Sequence, residues 1–133
     1  MHLPDAQVHQ ALEALWRSGG TTYVGLSTTV PGDTVSPGSV TEVVAGSYER
    51  VALAKSSGGF GAATSRAIQT IVATTWPAPV EDWGTALAVV LWSTATKGTG
   101  VPVAAIRLST GVTILAGGSP VVAPAGLIRF EAT

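Results

Sequence analysis

The residues able to do chemistry in this chain are few and scattered. Glu81-Asp82 is the one adjacent pair of acids, set between Trp76-Pro77-Ala78-Pro79-Val80 and Trp83-Gly84. General acid/base or metal work needs carboxylates that converge in a pocket. Neighbours in an extended stretch point to opposite sides, so this pair reads as turn acids capping backbone donors. The two histidines, His2 in a terminal tail and His9 on the polar side of a helix, read as solvated. Neither lies near a Ser/Asp pair in the sequence, so a triad has no support. Gly58-Gly59-Phe60-Gly61 lacks the Lys-Ser/Thr and following helix of a phosphate loop and reads as a flexible turn. Trp76, Trp83 and Trp92 could form a sugar-stacking platform, but an apolar strand around Trp92 and a turn beside Trp83 favour core packing. Glu49-Arg50 reads as a surface ion pair at a subunit interface or as charges on a strand face. No catalytic, cofactor-binding or metal-ligating set emerges, and the expectation is a protein that is not an enzyme.

Composition narrows the classes further. Charged residues are 11% of the 133, against about 25% in ordinary soluble domains. The net charge is −1, and seven Lys and Arg are spread without a basic run, which argues against nucleic acid as a partner. Without cysteine, no disulfide or thiolate site can form. No apolar run approaches the ~20 residues of a membrane helix, and Met1-His2-Leu3-Pro4-Asp5 does not open a signal peptide. The expectation is a soluble protein made without export, with no membrane partner.

Residues 5–17 predict a helix. Val8, Ala11, Leu12, Leu15 and Trp16 fall on one apolar face, Asp5 serves as N-cap, Arg17 suits the C-terminal end, and Ser18-Gly19-Gly20 stops it. That face must be buried on the chain's own sheet or on another subunit. From Thr21 onward the pattern is of strands: 21–27, 48–53, 67–73, 85–94, 101–108, 112–115, 121–122 and 127–131. Residues 28–38 form a Pro/Gly/Ser/Thr loop long enough to suggest an exposed arm. The Trp/Pro connector at 76–84 is stiff, its indoles plugging the edge of a core. The fold expected is mainly β: a single-domain β-sandwich or barrel, jelly-roll-like, with a short N-terminal amphipathic helix. Residues 1–20 would be helix and tail, and 21–133 the sandwich.

Several phrases, in order, resemble a family of small bacteriophage virion proteins of the capsid decoration, minor tail or tail-fibre-like kind. They are Tyr23-Val24-Gly25-Leu26 with Pro31-Gly32; Thr41-Glu42-Val43 with Gly46-Ser47-Tyr48-Glu49-Arg50; Trp76-Pro77-Ala78 with Asp82-Trp83-Gly84-Thr85; and Gly118-Ser119-Pro120 with Ala125-Gly126-Leu127. The matching order covers about residues 20–128. The strand after Thr85 is richer in Ala and Val than the family pattern, and residues 95–100 lack its Asp-Ala start. The resemblance implies a non-enzymatic virion component assembled in the host cytoplasm. The leading expectation is a capsid decoration protein, a homotrimer bound to the major capsid protein or other virion proteins; the alternative is a minor tail or tail-fibre module binding a host surface. Candidate interface residues are Val8, Leu12, Leu15, Trp16, Pro31, Pro37, Tyr48, Arg50, Trp76 and Trp83.

Overall fold

The computed structural model describes residues 4–32 and 35–132. Among the described residues one α-helix, α1 (Asp5–Trp16), precedes eight strands: β1 (Thr21–Ser27), β2 (Val51–Ala54), β3 (Ala67–Gln69), β4 (Thr74–Thr75), β5 (Gly84–Trp92), β6 (Pro102–Ile114), β7 (Val122–Ala123) and β8 (Arg129–Glu131). The fold is mainly β, as the sequence implies, and no closed barrel forms among the described residues. A four-stranded sheet runs β2-β1-β5-β6, while β3 pairs with β8 and β4 with β7. The chain clusters into two compact units. The first holds residues 1–21, 53–74 and 123–133, and the second holds 22–52 and 75–122. The helix therefore shares its unit with two later stretches of chain.

In the first unit α1 packs against β3 and buries Val8, Leu12 and Trp16, a stripe at i, i+4 and i+8. The Trp16 indole stacks on Phe130 of β8, with centroids 4.4 Å apart and planes within 2°, and Phe60 lies 5.5 Å away. That pairing settles where the apolar stripe goes: onto the chain's own β3-β8 sheet. One helix expectation needs correction. The N-cap is Pro4, without a side-chain cap, and Asp5 is already helical, its carboxylate turned to Arg66. Leu15 of the apolar face is 61% exposed, so the chain itself covers only part of that face. Gly19 and Gly20, at φ +106° and +87°, end the helix, and the chain then pairs with Lys55 through Gly19 N–H and Gly20 C=O.

In the second unit β5 is the central strand, antiparallel to β1 and to β6. Its run Ala88 to Trp92 is buried throughout, which explains a continuous apolar sequence in place of an alternating one. Strands expected at 101–108 and 112–115 are one strand, β6. Its register against β5 jumps from Val112 to Arg107 across Leu87, so residues 108–111 bulge, and a second shift falls at Leu91/Trp92. Those bulges and Pro102 blunt an outermost strand that would otherwise offer a long unpaired edge. The Trp/Pro connector lies where stiffness suggests: Trp76, Pro79 and Trp83 are buried, and the Trp76 and Trp83 backbone N–H groups donate to Val121 and Ile114. The expected strand at 48–53 begins only at Val51; Tyr48 and Arg50 before it are engaged through their side chains.

Candidate functional site

Residues from the first two phrases of the resemblance meet in one place in the second unit. Tyr48 comes from the stretch before β2, Leu26 from the end of β1, Glu42 from the return of the long loop, and Arg50 from the residue preceding β2. The Tyr48 hydroxyl donates to Glu42 Oε2 at 2.8 Å and accepts the Leu26 N–H at 2.9 Å. Arg50 Nε and Nη2 grip the two oxygens of Glu42, each at 2.8 Å, a bidentate pair. Nη1 donates to the Thr94 carbonyl and hydroxyl, Nη2 also reaches the Thr99 carbonyl at 2.9 Å, and Gly98 N–H donates to Glu42 Oε1. The guanidinium lies over the Trp92 ring, 3.8 Å from its centroid. Lys97 caps the group by donating to the Ala45 and Tyr48 carbonyls.

Counting donors and acceptors decides what this cluster can do. A guanidinium has five N–H donors and a carboxylate about four acceptor positions. The contacts just named use all of them. Neither ion has capacity left for a ligand, and both are buried, the Arg50 side chain completely. Burial by itself would raise the Glu42 carboxyl, but hydrogen bonds from Arg50, Gly98 and Tyr48, with the Arg50 charge, outweigh it and hold Glu42 below the ordinary carboxylate range. Burial, then the adjacent Glu42 charge, push the Tyr48 phenol well above its ordinary value. The cluster is thus ionised and closed: a clamp holding residues 42–50 and 94–99 to the end of β1. Gly25 shows how tight it is, since a Cβ there would lie 2.6 Å from Tyr48 Oη and 3.0 Å from both Glu42 Oε2 and Trp92 Nε1.

The sequence-expected residues distribute as follows. Glu81 and Asp82 do cap backbone donors, on different loops: Glu81 Oε1 accepts from Ser47 N–H and Asp82 Oδ1 from Ala116 N–H. Arg50 pairs with Glu42, and Glu49 is exposed, so the Glu49-Arg50 ion pair is corrected. His9 is half-buried and accepts the Arg66 N–H, which corrects its reading as solvated; His2 lies outside the described residues. Trp76, Trp83 and Trp92 are buried, with Trp83 Nε1 donating to Ser47 Oγ, so they present no open aromatic platform. Among the candidate interface residues, Val8, Leu12, Trp16, Tyr48, Arg50, Trp76 and Trp83 are buried within the chain, which leaves little of their surface for a neighbour. Leu15 and Pro37 are exposed and Pro31 half-buried. Asp33 and Thr34 of the long loop lie outside the described residues. The base of that loop is pinned by Thr28 and Thr41, whose backbones bond, and by Thr29 Oγ1 against Thr41 N–H and Ser39 C=O.

Glu42, Thr94, Lys97 and Thr99 were not singled out as site residues. The available signal was the spacing Tyr48-x-Arg50, which in extended chain sends both side chains to one side; a buried Arg there demands an acid. Among the described residues no three His, Asp or Glu side chains converge on a metal-sized space, and no helix is long and apolar enough to cross a membrane.

No curated protein matches this chain. A family model does match, over residues 10–129, a span that takes in every phrase of the resemblance and the whole Glu42–Arg50 clamp. The chain belongs to the family described as podophage GP4 fiber I protein gp80, a bacteriophage virion structural family.

Proposed function

We propose that this chain is a non-enzymatic fibre component of a phage tail, assembled with copies of itself and with other virion proteins in the host cytoplasm. The family match over residues 10–129 carries the reading. It favours the tail-fibre alternative over the capsid decoration role that the sequence put first. The clamp is consistent with a structural part: its ions are saturated by the chain itself and serve to hold loops. Contact with a host surface, if this module makes it, must use something other than tryptophan stacking, because all four indoles are buried.

Antibody-gold electron microscopy of purified particles tests the proposal. Gold along the fibres or at the tail is the expected result, with the protein at low copy relative to the major capsid protein in a stained gel. Gold spread evenly over the heads, at high copy, would restore the decoration reading.

A further inference from the structure

The hairpin turn Thr64-Ser65-Arg66-Ala67 in the first unit closes by reciprocal backbone bonds between Thr64 and Ala67. Its two central residues have φ +49° and +61°. A two-residue turn of this hand is ordinarily made by Asn-Gly or Gly-Gly, because side chains resist positive φ. Ser65 and Arg66 are kept there by α1. Asp5, His9 and Glu13 are spaced four residues apart on its polar side, and each reaches the turn or its approach. Asp5 Oδ1 takes the Arg66 guanidinium at 2.7 Å, His9 Nε2 accepts the Arg66 backbone N–H at 3.0 Å, and Glu13 Oε2 accepts the Ala63 N–H at 3.3 Å.

We propose that His9 is a proton-sensitive latch on this strained turn. To accept from Arg66 N–H, Nε2 must carry no hydrogen, so the neutral imidazole is held with its proton on Nδ1. Protonation makes both nitrogens donors. The Arg66 N–H then faces another donor. Asp5 and Glu13, on the same helix, favour the cation, but Asp5 is already bound to Arg66 and Glu13 to Arg17. On β8, Arg129 and Glu131 are paired with each other. The bond that fixes Arg66 is lost once the imidazole is protonated. The helix itself stays, because Val8, Leu12 and Trp16 hold it by apolar burial. What changes is the turn.

Nitrogen-15 NMR of the full chain tests this between pH 8 and 5. At pH 8 the His9 ring should show the Nδ1–H tautomer. On acidification the Arg66 amide shift should follow the His9 titration curve, and its hydrogen-exchange protection, corrected for intrinsic rate, should drop about tenfold. Indole signals should not move. His9→Gln offers an acceptor that does not titrate, so protection should persist and its pH dependence vanish. His9→Ala should lose protection at every pH. A His9 ring in the other tautomer, an Arg66 amide indifferent to His9 protonation, or the same pH dependence in His9→Gln would each overturn the proposal. None of these readouts depends on where the protein sits in a virion.

Discussion

Each unit holds a loop with acids that grip backbone and arginine, and the two grips differ in how far water reaches them. In the first unit Asp5 is bound to Arg66 with two-thirds of its side chain exposed. In the second, Glu42 is bound to Arg50 with almost none of either side chain exposed. Exposed pairs of the first kind contribute about 0–1 kcal/mol, since water and salt screen them. A buried pair contributes little beyond an apolar substitute, yet breaking it is severe, because one ion is left dry and alone. The exposed clamp adjusts a turn on a unit whose core is an aromatic stack. The buried clamp is part of the core, and its geometry dictates which residues can stand around it.

The largest effect should therefore come from Glu42→Ala. It strands the Arg50 charge and should cost about 3–5 kcal/mol in chemical denaturation. Replacing Glu42 and Arg50 together by Leu and Met should recover much of that loss. The pH dependence has a defined sign. Glu42 has a lowered folded pKa, so its contribution is complete above the unfolded carboxylate value of about 4.3 and disappears as pH falls through the folded value. Tyr48 has a raised folded pKa, so its contribution is complete below about pH 10 and is lost as pH rises beyond that. Wild-type stability should fall at both ends, and Glu42→Gln should flatten the acid limb.

A middle-sized effect tests whether the clamp excludes even one extra carbon. Gly25→Ala reduces the freedom of the unfolded chain, worth about 0.4–1 kcal/mol in favour of folding. Against that stands a Cβ forced to 2.6 Å from Tyr48 Oη, an overpacking that costs about 1–3 kcal/mol. The net should be destabilising by denaturant titration. Gly38→Ala is the control, because nothing lies within 4 Å of its Cβ, and it should be neutral or slightly stabilising.

How far these contrasts were legible in the sequence depends on the range of the interaction. The helix, the central strand and its hairpin with β6, and the stiff connector are local patterns of period, proline and turn residues, and they were readable. Leu15 is exposed because a helical spacing of apolar residues does not say how wide a stripe the chain itself covers, and the row covered runs from Val8 to Trp16. The sequence leaves Glu49-Arg50 as an ion pair at an interface or as strand-face charges, whereas the partner of Arg50 lies eight residues back and its other acceptors more than forty residues on. No periodicity encodes such a meeting. His9 reads as solvated in the sequence because its acceptor role depends on a turn 57 residues away.

The smallest effect is expected from Asp5→Asn, and it is the sharpest check on the comparison. The change keeps size and hydrogen bonding but removes the charge facing Arg66 and the one acid in the first turn of α1. The ion pair and the helix dipole each contribute a few tenths of a kcal/mol at an exposed position, so the total loss should not exceed about 1 kcal/mol. For a chain of this size that is a few degrees in the thermal midpoint. The dependence on salt matters more than the size. At 1 M ionic strength the screening length falls to about 3 Å, and the Asp5→Asn deficit should shrink toward zero. The Glu42→Ala deficit should persist, since ions do not enter the clamp. An Asp5→Asn loss as large as that of Glu42→Ala, or one untouched by salt, would mean that exposure does not separate the two clamps.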